Sequence, residues 1–214
     1  MKNKLKIYVW HTPKIIEYIN ILKKSAQEFD DVEIISVIGN ESVDTNLSMG
    51  QTSSDSYKNL MLTRWQSLPD IIKQNIGSNI VWLDADCVLN KNNKIFKKTI
   101  EQHLENNDFV FQYDDNSGLC NNINSGVMGI KCTDKTLDII EKLCYDISNV
   151  THRRDGYPLL EINEMFNKYN DFNLTFSILP VDFCPLHFCE GNDNWGIYHA
   201  VGIDDKINAL LSKI

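Results

Sequence analysis

The sequence predicts an α/β sandwich in one domain, with a mostly parallel central sheet flanked by helices. Short apolar runs rich in β-branched and aromatic residues alternate with helical patterns in the first half of the chain. One run, Asn79–Leu83, shows no polar alternation, which is typical of a central parallel strand covered on both faces. A chain of 214 residues is long enough to bury a sizeable core, and neither a repeat nor a linker interrupts it.

Strands and helices are predicted in the following order. Leu5–Trp10 is the first strand, and Pro13 opens a helix whose apolar residues recur every three or four positions. Val32–Ile38 is the second strand, residues 41–56 form a polar loop, and Tyr57–Asn75 is a helix with a break near Pro69. The later predicted strands are Phe109–Gln112, Ser125–Ile130, Leu174–Val181 and Ile197–His199. The later predicted helices are Lys94–Leu104, Asp134–Ile147, Pro158–Tyr169 and Lys206–Leu211, and Thr151–Tyr157 is a charged loop.

The composition narrows the class of protein. A net charge of −8 argues against a general nucleic-acid binder, because a phosphate backbone would be repelled on average. No stretch approaches the 18 apolar residues of a membrane span, so we expect a soluble cytoplasmic protein, or one that a partner carries to a membrane. The six cysteines form no CxxC pair, which favours reduced thiols.

Two carboxylates stand at the end of the buried strand, in the stretch IVWLDADCVL. In an open parallel sheet, ligands bind beyond the carboxyl ends of the strands. Asp84 and Asp86 are two residues apart, so in an extended segment they point the same way and repel one another. A hard divalent cation removes that repulsion and prefers oxygen ligands. The pair therefore indicates a Mg²⁺ or Mn²⁺ site, although exposed loop carboxylates that cap a helix would leave the same pattern.

Four segments in order resemble the GT-A glycosyltransferases that use nucleotide-diphospho-sugars, in particular the glycogenin and LPS-galactosyltransferase-like groups. The segments are residues 57–64 with Leu68-Pro69, Val81–Asp86, Asn124–Met128 and Tyr198–Gly202. The resemblance implies a Rossmann-like GT-A fold, in which residues 1–86 bind the nucleotide and residues 87–214 bind the donor sugar and the acceptor. It implies an Mn²⁺- or Mg²⁺-dependent transfer from a nucleotide-diphosphate sugar, UDP favoured, to a hydroxyl of a glycan, lipid or protein, with retention of configuration.

The same resemblance suggests roles for individual residues. His199 would join Asp84 and Asp86 as the third metal ligand. The residues expected to contact the nucleotide or the donor sugar are His11, Thr12, Arg64, Asp84, Asp115, Asn124, Ser125, Gly126, Gly202 and Lys206. For Lys206 the match is imperfect, because the family's lysine lies one residue nearer the glycine.

The chain departs from the family near the anomeric carbon. Where an Asp-Gln pair is usual, it has Ile162-Asn163, so Asp155 or Glu161 is expected to supply the acidic group. A helix start is a suitable place for such a group. For Arg153 and Arg154 the sequence leaves two interpretations open, a phosphate clamp or exposed charges.

Two other functions remain open from the sequence. An apolar strand followed by DxD also fits the haloacid-dehalogenase phosphatases, in which Asp84 would be the nucleophile and Asp86 the general acid. That motif normally lies in the first strand of its domain, whereas a strand–helix pattern precedes it here. A protein that only binds the sugar nucleotide is the other alternative.

Overall fold

The computed structural model describes residues 4–39, 55–114, 123–149, 173–185, 195–200 and 203–214. The strands are β1 Leu5–His11, β2 Val32–Ile38, β3 Asn79–Leu83, β4 Cys87–Leu89, β5 Phe109–Tyr113, β6 Ile123–Lys131, β7 Phe176–Ile178 and β8 Ile197–His199. The helices are α1 Ile16–Ala26, which follows a 3-10 turn at Pro13–Ile15, α2 Asp55–Gln66, α3 Leu68–Gln74, α4 Phe96–Glu105, α5 Asp134–Asn149 and α6 Lys206–Leu211.

Six strands form the central sheet, in the order β2-β1-β3-β6-β5-β7. β1 is parallel to β2 and β3, and β5 is parallel to β7. β6 runs antiparallel to β3 and to β5. The predicted mostly parallel α/β sheet is therefore confirmed. β3 is central, but it is parallel only to β1 and antiparallel to β6. An uninterrupted apolar run indicates burial on both faces of a strand and gives no information on the direction of its neighbours.

Helices cover both faces of the sheet. On one face, Val81 and Leu83 of β3 pack in a cluster with side chains of α1 and α4. On the other face, Ile80 and Trp82 pack in a second cluster with side chains of α2, α3 and α5. Alternate residues of one strand thus belong to different clusters, as the pleat requires.

Most predicted elements are present, with ends that differ by a few residues. The predicted break near Pro69 is confirmed, since α2 ends at Gln66 and Pro69 lies in the first turn of α3. The prediction of Leu174–Val181 is too long, because only Phe176–Ile178 pairs with β5. The segments Thr151–Tyr157 and Pro158–Tyr169 lie outside the described residues.

A small second sheet was not predicted. β4 follows Asp86 directly and pairs antiparallel with β8, with Cys87 opposite His199. A strand of three residues carries too short a pattern to be recognised, and its partner lies far along the chain. This pairing brings the C-terminal part of the chain to the end of β3.

Candidate functional site

The two predicted metal-binding carboxylates lie where β3 ends. Asp84 follows the last residue of β3, and its backbone N–H donates to the carbonyl oxygen of Gly126 at 2.7 Å. The backbone carbonyl of Asp86 accepts a hydrogen bond from the N–H of Ala200 at 2.9 Å. The turn is therefore tied to β6 on one side and to the end of β8 on the other.

His199 joins the two carboxylates, as the resemblance implied. Its side chain is buried, and Nε2 lies 3.5 Å from Asp84 Oδ2 and 3.3 Å from Asp86 Oδ1. On the other side of the ring, Nδ1 lies 2.7 Å from Oε1 of Gln112. Asp84 and Asp86, two residues apart, thus each direct one carboxylate oxygen toward Nε2 of a histidine more than a hundred residues later.

Two cations neutralise the outer oxygens of the carboxylates. A terminal guanidinium nitrogen of Arg64 lies 2.5 Å from Asp84 Oδ1, and Lys206 Nζ forms an ion pair with Asp86 Oδ2. Each carboxylate therefore has one oxygen on a cation and the other facing His199 Nε2. Both cations were among the predicted contacts of the nucleotide, and in this structure they first serve as partners of Asp84 and Asp86.

Aromatic rings hold Arg64 in place. Its guanidinium carbon lies 5.9 Å from the ring centre of Trp65 and 5.6 Å from that of Trp82, distances at which a cation is attracted to the ring face. Its guanidinium also donates to the carbonyl of Ser125 at 3.4 Å. Arg64 is therefore buried, charged and fixed beside Asp84.

Gly126, in the stretch Asn124-Ser125-Gly126, packs against the ring of His199. A Cβ added at Gly126 would lie only 2.1 Å from His199 Cε1, so glycine is required for the close approach of the ring. The amide of Asn124 accepts from Gly126 N–H at 2.7 Å and donates to Asp114 Oδ2 at 3.0 Å. The structure thus brings these predicted donor-sugar residues to the cluster of Asp84, Asp86 and His199.

The charges in the cluster shift one another's pKa values. Burial alone would raise the pKa of Asp86, but His199 and Lys206 outweigh it and hold that pKa well below its ordinary value. Burial would also raise the pKa of Asp84, but the nearby charges of Arg64 and His199 outweigh it and lower that pKa. For His199, burial would lower the pKa, but Asp86 and Asp84 raise it to about 9. Both carboxylates are therefore ionised at neutral pH.

Each carboxylate lies at a distance from His199 that a shared hard divalent cation would allow. An octahedral ion with bonds of about 2.1 Å holds neighbouring ligand atoms roughly 3.0 Å apart. The observed separations of 3.3 and 3.5 Å between His199 Nε2 and the two carboxylate oxygens are close to that spacing. Two carboxylates and one imidazole are ligands that suit Mn²⁺ and Mg²⁺.

A buried thiol that the sequence analysis did not single out also lies in this cluster. Potential ligand atoms of Asp86, Cys87 and His199 lie within 4.8 Å of one another. Burial, followed by the nearby charges of Asp86 and Asp84, raises the pKa of Cys87 well above its ordinary value. A neutral thiol is a poor ligand for a hard cation, so Asp84 is the better third donor.

The cluster opens into a cavity of about 340 Å³. Its charged lining residues are Arg64, Asp84, Asp86 and Lys206. Its other lining residues are Trp10, Ile15, Tyr18, Met61 and Ala85. The cavity is therefore lined by both charged side chains and apolar or aromatic ones.

His11 and Thr12, predicted to contact the base or the ribose, are buried at the end of β1 and do not line this cavity. His11 Nδ1 donates to the carbonyl of Thr12 at 3.0 Å. Among the described residues, neither His11 Nε2 nor Thr12 Oγ1 has a hydrogen-bond partner. Four further predicted residues, Asp115, Asp155, Glu161 and Gly202, lie outside the described ranges, as do Arg153 and Arg154.

No family model matches the sequence, and no curated protein matches it. Solved structures do match. One is a glycosyltransferase involved in the glycosylation of the major capsid of PBCV-1, at 14% identity and a TM-score of 0.71, covering 98% of this chain and 99% of that one. Another is the glycosyltransferase GlyE of Streptococcus pneumoniae TIGR4, at 13% identity and a TM-score of 0.63, covering 96% of this chain and 56% of that one.

Mouse xyloside xylosyltransferase 1 matches at 10% identity with a TM-score of 0.51, covering 93% of this chain and 98% of that one. Likeness at such identities concerns the fold, and this chain has the α/β fold of these glycosyltransferases. The resemblance to GT-A enzymes is thereby confirmed at the level of the fold. Within the described ranges, no helix combines the length and the apolar composition needed to cross a membrane.

Proposed function

We propose that this chain is a metal-dependent glycosyltransferase that moves a sugar from a nucleotide-diphosphate sugar, UDP-sugars favoured, to a hydroxyl acceptor. One observation carries the proposal: Asp84 Oδ2 and Asp86 Oδ1 both lie within 3.5 Å of His199 Nε2, next to a cavity whose lining includes two cations. The shared fold of solved glycosyltransferases supports the reaction class.

Asp84, Asp86 and His199 are the residues that would hold Mn²⁺ or Mg²⁺. Bound there, the ion would neutralise charge on the leaving diphosphate as the glycosidic bond breaks. The two carboxylates are well prepared for this role because they are ionised, and Arg64 fixes the orientation of Asp84 through its other oxygen.

The cavity has the polarity that a nucleoside diphosphate requires. Lys206 can keep one N–H on Asp86 and direct others toward a diphosphate, since an ammonium group carries three donors. Trp10 and Tyr18 also line the cavity and supply aromatic surface on which a base or a ribose would pack. We propose that the phosphates bind at Lys206 and the metal ligands, with the nucleoside on the aromatic part of the lining.

The remaining assignments follow from the resemblance to the family. Asp115, Ser125, Gly202, His11 and Thr12 are proposed to surround the donor. Asp155 or Glu161 is proposed to supply the acidic group near the anomeric carbon, with retention of configuration.

The phosphohydrolase alternative is disfavoured on chemical grounds. It needs Asp86 to carry a proton as general acid, but His199 and Lys206 keep the pKa of Asp86 well below its ordinary value. It also needs Asp84 to attack phosphorus, whereas both of its oxygens already lie close to Arg64 or His199.

A thermal-shift panel of nucleotide-sugars, with excess Mn²⁺ or with EDTA, tests the proposal. At a ligand concentration of about 100 Kd, binding adds about 2.7 kcal/mol, which raises the Tm by roughly 5–10 °C for a chain of this size. We expect UDP and a UDP-sugar to stabilise the protein only with metal. Asp86→Asn should abolish the shift, whereas Asp70→Asn, at an exposed position of α3, should retain it.

Activity assays separate the alternatives. Metal-dependent hydrolysis of a UDP-sugar without acceptor would distinguish a transferase from a protein that only binds. Turnover of p-nitrophenyl phosphate with a phospho-aspartate at Asp84 would instead support a phosphohydrolase. If no UDP- or GDP-sugar stabilises the protein in the presence of metal, the proposed function is wrong.

A further inference from the structure

One polar side chain in the core has no role in the function proposed so far. Gln112 lies in β5 after the apolar run Phe109–Phe111 and is 0% exposed. A buried amide is costly unless its groups are hydrogen-bonded, and a leucine or methionine would fill a similar volume without that cost. The presence of glutamine at this position therefore requires an explanation from its contacts.

The amide of Gln112 is bonded at both ends. Its Nε2 donates to the carbonyl of Cys184 at 3.4 Å, and its Oε1 lies 2.7 Å from His199 Nδ1. A carbonyl can only accept, so the contact with Cys184 fixes which end of the amide faces the histidine. His199 Nδ1 must then carry a hydrogen and donate it to Oε1. This holds whether or not the imidazole as a whole is charged.

A consequence follows for the other ring nitrogen. With Nδ1 held by Gln112, the ring turns Nε2 toward Asp84 and Asp86, at 3.5 and 3.3 Å. A neutral imidazole with its hydrogen on Nδ1 has its lone pair on Nε2, which is the form that can ligate a cation there. Without the acceptor, the other tautomer and a flipped ring would both be accessible.

An irregularity in the sheet provides the space for this contact. Along β5 and β6, Phe111 pairs with Met128 but the next residue, Gln112, pairs with Asn124. Residues 125–127 of β6 therefore have no partner on β5, and they include Gly126, against which His199 packs. Bulges commonly redirect side chains next to functional sites.

We propose that Gln112 is a positioning residue that fixes the tautomer and the orientation of His199 as a metal ligand. This inference rests on the proposed metal-dependent function. Hydrogen-bond partners of metal-bound histidines are usually carboxylates, backbone carbonyls or water. A neutral amide orients the imidazole while adding less to its basicity than a carboxylate would.

Three variants test the role of Gln112. Gln112→Leu removes the acceptor, Gln112→Glu keeps an acceptor oxygen at similar reach, and Phe111→Leu is a control that disturbs the packing of the same strand. Phe111 stacks on Phe109, with ring centres 5.9 Å apart, and belongs to the second core cluster. Both leucine variants should lower the Tm, so loss of stability alone does not decide the matter.

Two readouts do decide it. In the metal-free protein, NMR should detect a slowly exchanging Nδ1 proton of His199 in the wild type, in Gln112→Glu and in Phe111→Leu, but not in Gln112→Leu. The Kd for Mn²⁺, measured from free Mn²⁺ by EPR, should rise about 10–100-fold in Gln112→Leu. It should stay within threefold in Phe111→Leu and should be unchanged or lower in Gln112→Glu.

A protected Nδ1 proton together with wild-type Mn²⁺ affinity in Gln112→Leu would overturn the inference. If the wild type binds no divalent cation at all, the proposed function fails. The NMR signal of the metal-free protein then still decides whether Gln112 orients His199.

Discussion

Gly126→Ala tests the packing of the proposed metal-binding cluster, Asp84, Asp86 and His199, with the smallest possible change. The added Cβ would lie 2.1 Å from His199 Cε1 and 2.7 Å from Asp84 Oδ2. Carbon atoms in contact normally lie about 3.5 Å apart, so the ring and β6 must separate by roughly 1.4 Å. Metal–ligand distances tolerate shifts of only about 0.2 Å. The imidazole would therefore be displaced out of coordinating position.

We expect Gly126→Ala to weaken Mn²⁺ binding at least about 100-fold, which corresponds to about 2.7 kcal/mol. Overpacking should also destabilise the fold by about 1–3 kcal/mol. Mn²⁺ affinity is measured by EPR titration, and stability by chemical denaturation of the metal-free protein.

Gly129→Ala provides a matched control on the same strand. Its Cβ would meet Val110 Cγ1 at 2.5 Å and Ile100 Cγ2 at 3.3 Å, which are core side chains away from the cluster. Gly129→Ala should lose a similar amount of stability and keep its Mn²⁺ affinity. The reasoning is refuted if Gly126→Ala binds Mn²⁺ within threefold of the wild type, or if the two variants lose metal affinity equally.

Three further predictions concern the charged groups. Lys206→Met should tighten the binding of Mn²⁺ alone, because the variant removes a cation that competes for Asp86. It should weaken the binding of UDP in the presence of Mn²⁺. Calorimetry that finds both affinities changed in the same direction would contradict this. Arg64→Lys should weaken UDP binding about tenfold in the same assay, since an ammonium group cannot reproduce the planar contacts with Trp65, Trp82 and Asp84. If the variant binds UDP with wild-type affinity, Arg64 has no part in binding the nucleotide. Asp108→Asn should cost about 1–3 kcal/mol at pH 7, because Asp108 accepts from Lys135 Nζ at 2.7 Å and from Thr175 N–H at 2.9 Å. Burial alone would raise the pKa of Asp108, but these contacts outweigh it and lower that pKa below its ordinary 3.8. The stabilisation by Asp108 is therefore fully present above pH 3.8 and is lost as the pH falls through the folded-state pKa. An equal difference in stability between wild type and variant at pH 7 and pH 3 would exclude this.

The fold was predictable because its signals are local. β2 and β3 have the predicted ends, since each is an apolar run bounded by polar or glycine residues. The predicted pair Asp84 and Asp86 also needed only one stretch of sequence. The role of His199, in contrast, was predicted only from the resemblance to a family. Nothing in the sequence around His199 indicates a contact with Asp84 and Asp86, more than a hundred positions earlier.

The parts of the site that were missed depend on contacts across the sheet. β4 exists because β8 pairs with it, and its three residues carry no pattern of their own. Gln112 was included in a predicted strand, yet its role becomes visible only when His199 lies beside it. The cations next to Asp84 and Asp86 come from α2 and α6, so the charge balance of the cluster could not be read from IVWLDADCVL alone.

Because β4 pairs with β8, the site is complete only after the C-terminal part of the chain has been synthesised on the ribosome. Lys206 follows Asp86 by 120 residues, and at 5–20 residues per second that segment takes roughly 6–24 s to synthesise. During this interval Asp84 and Asp86 exist without His199 and Lys206, and Arg64 is the one partner among those described that has already been made. A nascent chain arrested before β8 should therefore hold the sheet strands β1 to β3 but bind no Mn²⁺, so the capacity to bind metal would appear late in synthesis.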